Sequence, residues 1–264
     1  MAAGVPVIGK VLLAATLLAV LPGAALAASD CILDNCADQK PLPQLSPGTP
    51  SGHTERPSGP GFGRSGPSPR GASVPGQFDF YVLSLSWSPG FCQTGGAQKG
   101  RDQCNAGANL GFVVHGLWPQ YDHGFPSDCG GAQRAPSRIA LATTDGVYPD
   151  EGLARYEWRK HGTCSGLSPT DYFANAKAAR DAVVVPQPFK DAHQDQRWAP
   201  VDVERAFIAS NPRLRPGMLA AVCQHGVMEE VRICFTKDLK SFQACPEVAR
   251  DRCRAPAMSV PPVR

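Results

Sequence analysis

Ten cysteines place the strongest constraint on the fold of this chain, because the cysteines of an exported protein usually pair and staple the backbone. Their number is even, so up to five disulfides can form. A structural zinc site is the poorer interpretation, since the tightest spacing, from Cys31 to Cys36, is wider than the close pairs that zinc sites use. The sequence therefore predicts a disulfide-stapled fold without a metal site.

The beginning of the chain has the features of a secretory signal peptide, predicted here for residues 1–27. Lys10 precedes an apolar run over residues 11–21, and small residues follow up to Ala28. This run is about half the length of a membrane-spanning helix, so we expect cleavage near Ala27 and no membrane anchor in the mature protein. The predicted location is secreted or periplasmic, where disulfides form.

Composition divides the rest of the chain into two parts. Residues 28–76 become rich in proline, glycine and serine from Pro41 onward, which predicts a disordered linker with a small loop closed by Cys31 and Cys36. Residues 77–264 suffice for a single domain with its own core. The net charge of only +3 argues against a strongly basic surface, so any nucleic-acid ligand would have to be held by a few cations in a cleft.

Hydrophobic periodicity predicts strands and helices in residues 77–264 without a regular alternation. Two strands are predicted, at 78–87 and 111–114, and three helices, at 152–161, 168–180 and 203–209. A late hairpin is predicted from 227–235 and 242–245, around a polar turn at 237–240. The predicted fold class is α+β, with a central antiparallel sheet packed against several helices.

Two segments contain the residues best suited to chemistry, and each places a histidine directly before a glycine. His115 lies in Phe-Val-Val-His-Gly-Leu-Trp-Pro, and His161 lies in Tyr-Glu-Trp-Arg-Lys-His-Gly-Thr-Cys. We expect His115 at a strand end, where the following glycine and proline turn the chain and direct the ring into a cleft. Taken alone, such a histidine is more often a core or turn residue.

The second segment gathers three functional groups on one helix face. Glu157, Lys160 and His161 are spaced i, i+3 and i+4, so they point the same way. This pattern also fits a solvated ion pair with a capping histidine. Cleavage of RNA by its own 2′-hydroxyl needs a base, an acid and a cation. Two imidazoles and one ammonium provide these groups at neutral pH.

These two segments, together with the strand segment before them, resemble the ribonuclease T2 family of secreted endoribonucleases over about residues 77–245. The resemblance implies cleavage of single-stranded RNA to a 2′,3′-cyclic phosphate, followed by hydrolysis to a 3′-phosphate, with no metal or cofactor and no cleavage of DNA. It implies that His161 is the general base and His115 the general acid. Lys160 would stabilise the phosphorane, and Glu157 would orient the phosphate and tune nearby pKa values.

The resemblance also assigns substrate-binding residues, and two of them depart from the family pattern. Trp118 would stack on a base. Tyr156 replaces a histidine that usually helps to bind phosphate. This replacement predicts weaker phosphate binding, and therefore a higher KM, without loss of the cleavage chemistry. Gln120 stands where an acidic residue commonly contacts the base, so base preference stays open.

Disulfide pairing is expected to follow the same pattern. The resemblance implies a bridge from Cys129 to Cys164, which joins the two histidine segments. Cys92 and Cys104 are candidates to close a nearby loop. The last four cysteines are expected to pair among themselves in an order that the sequence leaves open: Cys223, Cys234, Cys245 and Cys253. We expect a monomer that binds RNA.

Two other functions stay open on the sequence alone. Residues 159–162 faintly resemble the Arg-His-Gly signature of histidine phosphatases, although a lysine stands directly before the histidine. A catalytically weak, disulfide-rich RNA-binding module is the non-enzymatic alternative, and Tyr156 is its only support. Phosphate release from a small monoester would favour the first alternative. Tolerance of substitutions at His115 and His161 would favour the second.

Overall fold

The structure, a computed structural model, describes Met1 and residues 73–130, 135–190 and 192–263. Apart from Met1, the predicted signal peptide lies outside the described residues, and so does almost all of the predicted linker, with Cys31 and Cys36. The strands are β1 Phe80–Trp87, β2 Phe112–Gln120, β3 Gln196–Trp198, β4 Leu219–Gln224, β5 Val227–Thr236 and β6 Met258–Val260. The helices are α1 Ser88–Phe91, α2 Arg138–Ala142, α3 Glu151–Lys160, α4 Pro169–Asp181, α5 Gln187–Lys190, α6 Pro200–Ser210 and α7 Pro246–Arg250. Within these ranges, no helix is both long and apolar enough to span a bilayer.

The six strands form one sheet with the order β2-β1-β5-β6-β3, and β4 pairs with β5. Every ladder is antiparallel except the single parallel contact between Val227 of β5 and Ser259 of β6. Strand β1 lies between β2 and β5 and is buried along its whole length. The predicted α+β class, with a central and mainly antiparallel sheet, is confirmed.

One face of the sheet carries the main hydrophobic core. Leu83 of β1 pairs with Leu117 of β2 and Ile233 of β5, and all three side chains are fully buried. Helix α4 packs on this face through Tyr172 and Phe173. The Tyr172 hydroxyl donates a hydrogen bond to the Leu117 carbonyl over 3.0 Å. Burial of this apolar surface, at about 25 cal/mol per Å², is the main force that fixes the sheet against the helices.

Helix α3 carries the second histidine segment and is fixed at both ends. A side-chain oxygen of Asp150 accepts the Leu153 N–H over 2.7 Å, a cap that contributes about 1 kcal/mol. At the other end, a Cβ on Gly162 would lie 2.4 Å from the Trp158 ring, so only glycine fits there. His161 therefore stands where the chain leaves the helix.

The late hairpin is formed by β4 and β5, so the predicted strand at 242–245 is wrong. That segment contacts β5 through one isolated bridge and the disulfide between Cys234 and Cys245. Strand β5 pairs instead with β4 across the two-residue turn His225-Gly226, whose φ angles are 51° and 77°. Positive φ at both turn residues is the geometry that matches the twist of two adjacent strands.

Disulfides join the loops to the secondary structure in four places. The bridge between Cys129 and Cys164 is present and connects the loop after β2 to the turn after α3. The last four cysteines pair among themselves, as expected. The complete set within the described residues is Cys92–Cys104, Cys129–Cys164, Cys223–Cys253 and Cys234–Cys245.

Candidate active site

His115 lies inside strand β2 rather than at its end. The predicted strand stopped one residue earlier, but β2 continues to Gln120, so the expectation of a turn at the histidine is wrong. The register between β1 and β2 shifts between Ser84 and Leu85, which leaves His115 as the extra residue of a β-bulge. A bulge bends the strand and changes the direction of a side chain without ending the pairing. The bulge, not a turn, places this imidazole.

Gly116 leaves the space that the Glu157 carboxylate fills. A Cβ at position 116 would lie 2.0 Å from Oε2 of Glu157 and 2.3 Å from Nε1 of Trp118. Oε2 accepts the indole N–H of Trp118 over 2.7 Å. Oε1 lies 3.7 Å from Nε2 of His115. Glu157 thus connects helix α3 to both ends of the His-Gly-Leu-Trp segment.

The Glu157 side chain is only 1% exposed, and this burial dominates its titration. Burial raises the pKa of Glu157 to about 7, although His115, the Trp118 N–H and Lys160 act in the opposite direction. The carboxyl group therefore changes its charge in the neutral range. A group of this kind responds to the arrival of a charged substrate.

A second carboxylate contacts His115, and it is not among the site residues predicted from the sequence. Oε1 of Glu230, on β5, lies 2.6 Å from Nδ1 of His115. Burial alone would lower the pKa of His115, but the charge and hydrogen bond of Glu230, helped by Glu157, outweigh burial and raise the pKa to about 9. His115 is therefore protonated at neutral pH. Two adjacent glutamates, Glu229 and Glu230, among the apolar residues of β5 were the available signal, because side chains alternate along a strand and a glutamate is rarely buried without a partner.

His161 has the opposite charge state. Burial, with the positive charges of His115 and Lys160, lowers the pKa of His161 to about 3. Ring centroids are 5.4 Å apart for Trp118 and His161, and 5.5 Å apart for Trp118 and His115. Nδ1 of His161 is buried and has no hydrogen-bond partner in the described part of the chain. The site thus holds one imidazole that can donate a proton and one that can accept it.

A cavity of about 280 Å³ opens beside His161. It is lined by residues of β1, of both histidine segments, of the loop after β2, of β5 and of the α7 region: Val82, Trp118, Gln120, Phe125, Lys160, His161, Arg232, Glu247, Val248 and Asp251. The Arg232 guanidinium lies over the Trp118 ring, 5.2 Å from its centroid. Among the residues described, no group of three or more His, Cys, Asp and Glu side chains is arranged to hold a metal ion.

Two of the predicted site residues, Lys160 and Tyr156, have their main contacts with residues outside the catalytic pair. Nζ of Lys160 donates to Oδ2 of Asp128 over 2.6 Å, although Lys160 also lines the cavity. Tyr156 packs against the hydrophobic core, and the Arg159 guanidinium lies 5.6 Å from the centroid of its ring. Tyr156 is not among the described residues that line the cavity. The structure therefore brings Lys160 to the site through its helix and leaves Tyr156 at the margin.

The fold and the two imidazoles define a disulfide-stapled α+β domain with an acid–base site. The model of the ribonuclease T2 family matches residues 78–245, which is more than half of the chain. The chain belongs to the ribonuclease T2 family, so the resemblance noted in the sequence is confirmed.

Individual relatives agree with this assignment. A ribonuclease of Aeromonas hydrophila is 48% identical over 105 residues, which cover 40% of this chain and 46% of the relative. A probable ribonuclease of Haemophilus influenzae is 32% identical over 181 residues, or 63% of this chain and 61% of the relative. The match thus spans less than two thirds of either relative. The solved structure of an RNase-related protein from Calystegia sepium shares the fold, with a TM-score of 0.55 and 23% identity over 71% of this chain and 98% of that one.

Proposed function

We propose that the domain is an endoribonuclease that cleaves single-stranded RNA without a metal ion, first to a 2′,3′-cyclic phosphate and then to a 3′-phosphate. The observation that carries the proposal is the opposite charge state of two imidazoles beside one indole. The pKa is raised to about 9 for His115 and lowered to about 3 for His161. Family membership supports RNA as the substrate.

In the first step, neutral His161 takes the proton of the 2′-hydroxyl, and the 2′-oxygen attacks phosphorus. Because Nδ1 of His161 is buried, Nε2 is the nitrogen assigned to this role. The bond from phosphorus to the 5′-oxygen breaks as His115 gives its proton to that oxygen. The products are a cyclic phosphate and a free 5′-hydroxyl, and the two imidazoles have exchanged their protonation states.

In the second step, the imidazoles act in the reverse direction. His115, now neutral, takes a proton from water, whose oxygen attacks the cyclic phosphorus. The bond from phosphorus to the 2′-oxygen breaks, and His161 returns its proton to that oxygen. A 3′-phosphate results, and both histidines regain the charge states that the free site favours.

Lys160 and Glu157 support these steps in different ways. The Lys160 ammonium, with its side chain 34% exposed, exchanges its contact with Asp128 for the phosphorane oxygens, whose charge it stabilises. Glu157 is too buried to contact the phosphate directly. It accepts the hydrogen bond that holds the Trp118 indole, and its carboxylate faces the His115 ring. Both groups prepare the site around the phosphorus.

The cavity beside His161 is proposed to receive a base. Trp118 stacks on it, and the Gln120 amide at the same wall contacts its edge and sets the base preference. Tyr156 lies at the margin of the site and provides no imidazolium for the phosphate, so substrate binding is weaker and KM is higher. Neither the phosphatase nor the binding-module alternative gains support from the comparisons.

We also propose that the protein is secreted or periplasmic and monomeric. Four disulfides support a compartment that favours oxidised cysteines. The apolar run at residues 11–21, after Lys10, supports export by a signal peptide.

The decisive experiment incubates the purified mature protein with RNA and with DNA of the same sequence, in the presence of a chelator. We expect cleavage of RNA only, because DNA lacks the 2′-hydroxyl nucleophile. The new ends should carry a 2′,3′-cyclic phosphate early and a 3′-phosphate later. Turnover that stops in chelator, or cleavage of the DNA, contradicts the proposal.

Variants of the two histidines provide the control. His115→Ala and His161→Ala should each slow cleavage by about a hundredfold to ten-thousandfold, because each removes one proton transfer. His193→Ala alters an exposed histidine away from the cavity and should leave the rate unchanged. Wild-type rates in both site variants would favour a binding module.

A further inference from the structure

The shortest contact of His115 is with Glu230, a residue that neither histidine segment contains. Oε1 of Glu230 lies 2.6 Å from Nδ1 of His115, whereas Oε1 of Glu157 lies 3.7 Å from Nε2. The Glu230 side chain is 8% exposed, so water hardly competes for this contact. A carboxylate on Nδ1 requires a proton there, and the proton that His115 transfers is then the one on Nε2.

Arg232 holds Glu230 in place from the same face of strand β5. Its Nε donates to Oε2 of Glu230 over 2.8 Å, and its Nη1 donates to Oδ2 of Asp251 over 2.9 Å. The guanidinium also covers the Trp118 ring. Both oxygens of Glu230 therefore have fixed partners, and turning the carboxylate away from His115 would break both contacts.

We propose that Glu230 is a positioning residue for the ribonuclease reaction, which fixes the orientation and the tautomer of His115 and keeps this imidazole charged as the general acid. The inference rests on the proposed function. Arg232 completes the arrangement, because its charge keeps Glu230 ionised and prevents the carboxylate from taking the proton of His115. These contacts form a row of alternating negative and positive side chains that ends at the reacting imidazole: Asp251, Arg232, Glu230 and His115.

The charged groups around His115 come from two parts of the fold. Glu157 faces it from α3, Glu230 and Arg232 face it from β5, and Glu229 of the same strand adds a weaker charge interaction. Burial would raise the pKa of Glu230, but Arg232 and His115 hold it well below its usual range. If Glu230 loses its charge, Arg232 still repels the imidazolium, and Glu157 is the one main group left that favours it. The pKa of His115 should then fall.

The test compares Glu230→Gln with Glu229→Gln. Glu229 is the adjacent glutamate, and its Oε1 accepts from the Thr94 hydroxyl over 3.1 Å instead of contacting His115. Both variants remove one carboxylate of the same size. With a dinucleoside phosphate as substrate, kcat and KM are measured across pH, and circular dichroism checks the fold.

We expect Glu230→Gln to move the alkaline limb of the kcat profile, near the His115 pKa of about 9 in the wild type, to lower pH. The shift should be about one pH unit or more, since an opposite charge at this distance has an effect of that size. At neutral pH kcat should fall by about a hundredfold with little change in KM, because tautomer control is lost. Glu230→Asp should restore part of kcat. Glu229 interacts with His115 through its charge but not through a hydrogen bond, so Glu229→Gln should move the limb much less than Glu230→Gln does.

An alkaline limb that stays at the wild-type pH in folded Glu230→Gln overturns the inference. Nitrogen NMR of His115 in the wild-type protein gives a second test that needs neither substrate nor a variant. An ordinary pKa near 6.5, or an Nδ1 without a proton, also overturns it. Failure of the proposed function is separate: the wild type would then cut no RNA, whatever the NMR spectrum shows.

Discussion

His115 and His161 have the same side chain, yet their surroundings separate their charge states before any substrate arrives. Two carboxylates, those of Glu230 and Glu157, face His115 and outweigh its burial. His161 is buried beside two cations, and both effects favour its neutral form. Unshifted imidazoles, with pKa values of about 6.5, would each be a mixture of acid and base forms at neutral pH. The surrounding charges, rather than the residue type, assign the two roles.

Position 156 offers a test of how the site binds phosphate. Tyr156 lies one turn before Lys160 on α3, so a charged side chain there would add to the cationic end of the helix. Tyr156→His is predicted to lower KM several-fold at about pH 5, where imidazole is charged, and to have less effect at about pH 8. The kcat value should change little, because the proton transfers are untouched. Initial rates over a range of substrate concentrations at both pH values measure this.

Tyr156→Phe is the matched control for this prediction. It keeps the ring against the core and removes only the hydroxyl, so it brings no charge and should not lower KM. An unchanged KM for Tyr156→His at acidic pH would show that position 156 does not approach the phosphate.

Strand β2 and helix α3 meet through the glycine of the first histidine segment. A methyl group at Gly116 would occupy the position of the Glu157 carboxylate. We predict that Gly116→Ala slows RNA cleavage by about a hundredfold, because the Glu157 carboxylate and the Trp118 indole must move by about 1 Å. Overpacking should also lower the free energy of unfolding by about 1 to 3 kcal/mol. Rates measured well below the unfolding temperature separate the two effects.

Gly130→Ala is the control for this variant. A Cβ at Gly130 has its nearest neighbour at 3.8 Å, an ordinary contact, so rate and stability should stay close to those of the wild type. If Gly116→Ala cleaves RNA as fast as Gly130→Ala does, the close approach of Glu157 is not needed for activity.

Local signals were sufficient to predict the elements that depend on neighbouring residues. Helix α4 begins after Ser168, whose hydroxyl accepts the Asp171 N–H, and Pro169 occupies its first turn, as the sequence predicts. The helix spacing that groups Glu157, Lys160 and His161 is likewise a local property. Caps and periodicity act within a few residues, so they can be recognised in one sequence.

Features that depend on distant strands were not predictable in this way. The bulge at His115 exists only in the register between β1 and β2. Strand β4 has few β-branched residues, and its turn, His225-Gly226, lacks the usual Asn-Gly or Asp-Gly signal. Glu230 meets His115 although the two are separated by 115 residues. Long-range pairing leaves no periodic trace in either segment.

At the scale of the whole molecule, the disulfides differ in what they hold. Cys129–Cys164 joins the two histidine segments, and the adjacent Asp128 N–H donates to the Lys160 carbonyl over 2.8 Å. Cys92–Cys104 closes a loop between α1 and β2. The first bridge therefore keeps the end of α3 in place beside the cavity, whereas the second fixes a segment outside it.

Removing each disulfide in turn should distinguish its effect on the free energy of unfolding from its effect on kcat. The double variant Cys129→Ser, Cys164→Ser removes a disulfide between residues 35 positions apart in the sequence. It should lower the free energy of unfolding by about 4 kcal/mol. Cys92→Ser with Cys104→Ser opens one across 12 residues and should cost about 3 kcal/mol. Denaturant titrations measure both losses.

The two double variants should differ in rate as well as in stability. At a temperature where both are folded, loss of Cys129–Cys164 should reduce kcat by about tenfold, because Asp128, Lys160 and His161 are no longer held together. Loss of Cys92–Cys104 should leave kcat near that of the wild type, since no group that moves a proton lies in its loop. Equal rate losses in the two variants would mean that the bridges act only through global stability. A selective loss would show that the covalent link between the two histidine segments keeps the base at its working distance from the acid.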